Sequence, residues 1–195
     1  MKYLAYLIIV FILLGCNNND NFNDFETVRK CNIQLNDKAA TALNEITKLL
    51  NGDNAIYNQH EDSSLAKITK HYVYFNLTDY NGKLFIRTVL WNNYAQTGNP
   101  IYVDYELPIK NIDITNIELI DLYLPAFGGE YSSFEIYSKF NNHEAFGVRV
   151  LKFDENKQKY MIKSTKTGNI LLQLKRDIAR KLKEQLIIFV QNYNE

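Results

Sequence analysis

Histidine and carboxylate are the side chains most often used to move protons or hold a metal ion, and the chain has three histidines: His60, His71 and His143. Two of them stand beside acids, in His60-Glu61-Asp62 and His143-Glu144. Neighbours in one loop seldom chelate one ion, and ligand spacing of the zinc-site kind is missing, so these groups form a site only if the fold converges them. The acids Asp104, Glu106, Glu118, Asp121 and Glu135 lie on segments that alternate like strands. Two of them held at roughly 5–9 Å would suit glycoside hydrolysis, and the same alternation equally predicts acids on a wet sheet face. Glu130 follows Gly128-Gly129, a pair that lets backbone approach a ligand closely or simply makes a turn. No nucleophile elbow, P-loop, H-E-x-x-H helix, paired C-x-x-C or G-x-G-x-x-G is present. The expectation is therefore a chain with no catalytic residue, no metal and no bound cofactor.

A different chemistry opens the chain. Lys2 precedes residues 4–14, an uncharged apolar run that is shorter than the roughly 20 residues a membrane-crossing helix needs and has the shape of an export signal. It ends in Leu13-Leu14-Gly15-Cys16. This ending resembles the lipobox of bacterial lipoproteins, with Leu14 standing where a smaller residue is more usual. The resemblance covers about the first twenty residues and implies that residues 1–15 are removed and that Cys16 carries a diacylglyceryl group and an N-acyl chain. Two or three acyl chains anchor stably where one holds only reversibly. Residues 16–24, rich in asparagine and aspartate, read as a flexible tether. By the sorting rule of enteric-type bacteria, Asn17 after the cysteine favours the outer membrane over the inner.

The whole chain carries 22 Lys and Arg against 22 Asp and Glu. Loss of residues 1–15 removes only Lys2, so the mature chain is near neutral and lacks the basic excess of a nucleic-acid binder. Cys31 is the only thiol left after lipidation. It excludes an internal disulfide and reads as a small buried apolar residue, a nucleophile or an intermolecular bridge. Residues 175–183 hold Lys175, Arg176, Arg180, Lys181 and Lys183 against Asp177 alone, either the solvated side of a helix or a patch for anionic headgroups.

The elements that must position these groups follow from periodicity. Ala40, Leu43, Ile46 and Leu50 recur at helical spacing behind Asn36 or Asp37 and before Asn51-Gly52, predicting a helix over 37–50. Residues 53–70 read as a polar connection. Strands are expected at 71–78, 83–91, 101–107, 114–124, 133–140, 145–153 and 159–164, with Asn81-Gly82 as a hairpin turn. A helical stripe of Leu171, Leu174, Ile178, Leu182, Leu186, Phe189 and Tyr193 predicts a helix within 170–193. The expected architecture is α+β: one antiparallel sheet of six or seven strands with an N-terminal helix and a long C-terminal helix packed on it, forming a single domain over 25–195.

Alternation also sorts the tyrosines. Tyr72, Tyr74 and Tyr102 fall opposite the apolar face of their strands, as does Tyr137, so they either form a recognition surface or pack under a helix. The first reading makes the protein a membrane-tethered, non-enzymatic binding module of the cell envelope, with an immunity or exclusion protein as one specific form. Its partners would be the bilayer, through the anchor, and a protein in the envelope. The alternative is an envelope glycan hydrolase using strand carboxylates.

Overall fold

Asn36 starts the first helix by satisfying one of its orphan donors. Its backbone is extended, its side-chain Oδ1 accepts from the Ala39 N–H at 2.9 Å, and α1 (Asp37–Asn51) follows. The Nδ2 of the same side chain donates to the Asn192 carbonyl, tying the start of α1 to the end of the C-terminal helix. The computed structural model describes residues 35–52, 56–58, 67–78, 81–91, 98–124 and 129–193. Cys16, Cys31, His60 and the expected signal and tether lie outside them.

Nine strands are present among the described residues: β1 (Ile56–Asn58), β2 (Lys67–Thr78), β3 (Asn81–Trp91), β4 (Ile101–Pro108), β5 (Ile112–Leu124), β6 (Gly129–Ser138), β7 (Phe146–Asp154), β8 (Lys159–Thr167) and β9 (Asn169–Lys175). The chain closes with α2 (Arg176–Asn192). The class is α+β and the pairing antiparallel, as expected, but the single sheet is not. There are two, one ordered β1-β2-β3-β4-β7-β8 and one ordered β5-β6-β9. The split comes at Pro108, which ends β4 and leads into the 3-10 turn Ile109–Asn111. Proline brings no N–H to a ladder, and after this turn the chain pairs with β6 instead of continuing beside β4.

Three boundaries also differ from expectation. Residues 169–175 are a strand, not the first turns of the C-terminal helix, because Ile170, Leu172 and Leu174 are buried at a spacing of two, which is the strand period. The stretch 53–70, expected as a connection, contains β1 and the start of β2, paired as Ile56 with Thr69 and Asn58 with Lys67. The hairpin between β2 and β3 closes two residues earlier than expected. Thr78 pairs with Asn81, so Asn81 and Gly82 belong to the ladder. A Cβ at Gly82 would collide with the ring and hydroxyl of Tyr193; the glycine is there to admit a ring, not to make a turn.

One core joins these parts. The helices pack on each other, α1 lies against β2, and α2 lies against β5, β6 and β9. Ala39, Ala42, Ile46 and Leu50 of α1 meet Ala179, Leu182, Leu186 and Phe189 of α2, with Leu84, Ile86, Leu107, Ile117, Phe134 and Leu172 from the sheets. Each fully buried large apolar side chain contributes about 1.5–3 kcal/mol. The alanines on facing helices let the backbones approach. Each sheet therefore turns one face to the helices, and its other face is the place to look for function.

Candidate functional site

On the six-stranded sheet, Leu84, Ile86, Tyr105 and Leu107 belong to the helix-facing core or pack against it, and burial pushes the Tyr105 hydroxyl above its ordinary pKa. The opposite face is set by register: Arg87 pairs with Tyr72 and Asp104, and Asp104 in turn with Arg149. One row over, Tyr102 stands between Val89 and Leu151. Tyr72 and Tyr74, opposite Arg87 and Phe85, occupy positions of the same face; their side chains lie outside the described residues. Tyr102 accordingly does not sit beneath a helix.

At the centre of this face Arg87 and Asp104 form a two-pronged ion pair, Nε to Oδ1 at 2.6 Å and Nη2 to Oδ2 at 2.8 Å. Asp104 is 2% exposed, so the expectation of a wet-face acid fails here: the guanidinium fork replaces water on both carboxylate oxygens. The Tyr102 ring lies 4.9 Å from the guanidinium, close enough for cation–π attraction. Tyr160 packs on Tyr102 and Phe153, with ring centres 5.5 and 5.4 Å apart, and donates its hydroxyl to the Pro100 carbonyl at 3.2 Å. Its pKa is pushed up to about 12, first by burial and then by Tyr102. The result is an arginine held flat between a carboxylate and a tyrosine, bordered by further rings. At the margin, Glu106 is paired with Lys83 at 2.6 Å.

The outer face of the three-stranded sheet carries the other acids. Glu118 and Glu135 stand directly opposite each other across β5 and β6. The Tyr137 hydroxyl donates to Glu135 Oε2 at 2.7 Å, and that bond, followed by burial and the charges of Glu135 and Glu118, raises its pKa to about 12. Ile120 and Leu171 are half exposed on the same face.

Asp121 points the other way. Its Oδ1 accepts from Ser132 Oγ at 2.6 Å, and Oδ2 lies 3.2 Å from both Arg176 and Arg180 on α2. Lys183 donates to the Ile117 carbonyl at 2.6 Å. Three of the five cations in the basic run are thus directed at β5, which they clamp to α2, a role that the charge count did not disclose. The Ser132 hydroxyl, with help from Arg176 and Arg180, holds the Asp121 carboxyl below its usual 3.8. A carboxyl lowered on folding adds stability above its unfolded value and loses it as pH falls through the folded one. Asp121→Asn should therefore melt below the parent at neutral pH, with the gap closing below about pH 4. A gap unchanged into acid would contradict the clamp.

The remaining expected groups do not converge. His143 is exposed in the β6–β7 connection, His71 is on β2, and the Glu144 beside His143 is 3.8 Å from Lys166. Glu130 is the second residue of β6, opposite Tyr123; its side chain, like that of His71, lies outside the described residues. Among the described residues no group of three or more His, Cys, Asp or Glu is placed to hold a metal ion, and no helix is long and apolar enough to cross a membrane. The sequence reading passed over Arg87 and Tyr160. The available signal was the lone charge of Arg87 between Phe85 and Val89 on one face of an apolar strand. Compared with known proteins, the chain matches no family model, no curated protein and no solved structure.

Proposed function

We propose that the chain is a lipid-anchored binding module of the bacterial cell envelope, tethered through Cys16 and holding a protein partner on the six-stranded sheet. The observation that carries the binding half is the Arg87–Asp104 pair under Tyr102. Tyrosine is among the residues that most often dominate recognition energy, and a Tyr102 ring held on a guanidinium that is itself fixed by a carboxylate loses little freedom when a partner meets it. Tyr72 and Tyr74 extend the same face. The anchor half rests on Leu13-Leu14-Gly15-Cys16, and Asn17 favours the outer membrane. Immunity or exclusion, in which an envelope protein neutralises an incoming protein, is the specific form this reading takes.

The glycan-hydrolase reading has one observation in its favour, the opposition of Glu118 and Glu135, since directly paired positions bring Cβ atoms within about 5 Å. Tyr137 already occupies Glu135, however, and the surrounding face is open. The binding reading is tested by changing Tyr72, Tyr74 and Tyr102 to alanine together and capturing partners from envelope extract. Capture should fall at least tenfold, about 1.4 kcal/mol or more, in a domain that still melts cooperatively. A folded variant that captures as well as the parent would place the binding surface elsewhere.

A further inference from the structure

Phe140 is 98% exposed, the most exposed large apolar side chain among the described residues. Its backbone is left-handed, with φ 60° and ψ 24°. That conformation brings Cβ against the following carbonyl and is seldom adopted by a bulky residue. The connection around it is tightly built. Ser138 N–H donates to the Gly168 carbonyl at 2.7 Å, and Ser138 Oγ to the Asn142 carbonyl at 2.9 Å. Asn142 N–H reaches back to the Lys139 carbonyl at 3.3 Å, and the Asn142 carbonyl and Oδ1 receive the N–H groups of Ala145 and Glu144. A Cβ on Gly168 would come within 3.1 Å of the Asn142 and His143 backbone. The fold thus braces both sides of a residue whose backbone is strained and whose ring stands in water, and neither feature favours folding.

From this we infer that Phe140 is a membrane-inserting tip, whose ring enters the interfacial zone of a phospholipid bilayer while Lys139 beside it meets the phosphates. The surroundings select a bilayer over a protein pocket. Lys139, Asn142, His143 and Glu144 are all exposed and polar, so among the described residues the immediate chain neighbours of the ring supply no apolar rim. A stable protein interface buries roughly 800 Å² on each side around several anchors, whereas binding at a bilayer interface scales with the apolar area inserted plus the attraction of a cation such as Lys139 to anionic lipid, so that one ring can make a contact. The tip can reach one. The chain between Cys16 and Leu35 spans at most ~65 Å when extended, which exceeds the ~40 Å width of a domain of this size. This geometry rests on the lipid-anchor reading for the presence of a bilayer. It adds to that reading a second contact, which would fix the orientation of the domain on the surface.

The test uses the full chain bound to vesicles of phosphatidylethanolamine and phosphatidylglycerol, with Phe140→Trp on a Trp91→Phe background so that a single indole reports. Its emission should shift to the blue and be quenched by bromine on the acyl chains, and the corresponding Phe140→Ala chain should partition about tenfold or more weakly at this contact. Phe140→Gly should melt above the parent, because glycine accepts a positive φ without strain. An indole that stays red and unquenched overturns the proposal, as does a Phe140→Gly chain that melts lower, since the ring would then be supporting the fold. The readout is independent of Cys16. An acylated chain with an unquenched indole sinks this proposal alone, and a quenched indole on a chain that is never acylated sinks the anchor alone.

Discussion

Replacing Asp104 with alanine will destabilise the domain by about 3–5 kcal/mol, a large part of the 5–15 kcal/mol that holds a typical domain folded. The reason lies in what is left behind. Arg87 has a side chain only 12% exposed, and without its carboxylate the guanidinium keeps its charge in a site where Tyr102 and the neighbouring rings exclude water. Arginine stays protonated at any ordinary pH, so the cost cannot be relieved by losing a proton. Removing both partners is different. Arg87→Met combined with Asp104→Leu leaves neither member of the pair to solvate and should recover much of the loss, since apolar replacements of buried ion pairs are often neutral or stabilising. Urea unfolding of the single and double variants measures both quantities. An Asp104→Ala chain within about 1 kcal/mol of the parent would show that the pair is not sealed from water. The double variant also separates structure from recognition: it should fold and yet capture a partner less well, because the Tyr102 ring loses the guanidinium it rests on.

The sequence shows the faces of this protein more clearly than its connections. Alternation in 101–107 places Tyr102 and Asp104 on one side and Tyr105 and Leu107 on the other, and the register bears this out, because side-chain direction in a strand follows parity alone. Parity does not say which strands share a sheet. The departure of β5 depends on how Pro108 and the following 3-10 turn redirect the chain, and on the register shift between Ile112 and Ile117, where Asp113 folds back on Thr115. Residues 170–174 fit a strand and a helix equally as letters, since Leu171 and Leu174 stand three apart while Ile170, Leu172 and Leu174 stand two apart; packing against β6 decides. The site behaves likewise. Arg87 and Asp104 are 17 residues apart and meet only through the β3–β4 register, and nothing in the letters around Phe140 announces a left-handed backbone. The Arg176, Arg180 and Lys183 clamp is invisible to charge counting because its partners, Asp121 and the Ile117 carbonyl, lie far back along the chain.

The other large effect concerns Cys16. If its thiol carries the lipid, Cys16→Ser removes the only atom to which a diacylglyceryl group can be attached, so acylation should be lost completely and the precursor should stall or be mislocalised. Each buried methylene contributes roughly 0.8 kcal/mol, so two or three acyl chains hold the protein far more firmly than the interfacial contact of a single phenylalanine ring. The loss should leave the fold untouched, because the core is closed by the two helices and the two sheets over residues 35–193. Metabolic labelling of bacterial cells with a palmitate analogue, followed by membrane fractionation, measures this directly. The parent chain should carry label and sediment with the membranes, while the Cys16→Ser chain should be unlabelled. Label retained on Cys16→Ser, or a parent chain that is unlabelled and recovered in the soluble fraction, would contradict the lipid anchor and with it the account of this protein as a tethered envelope module.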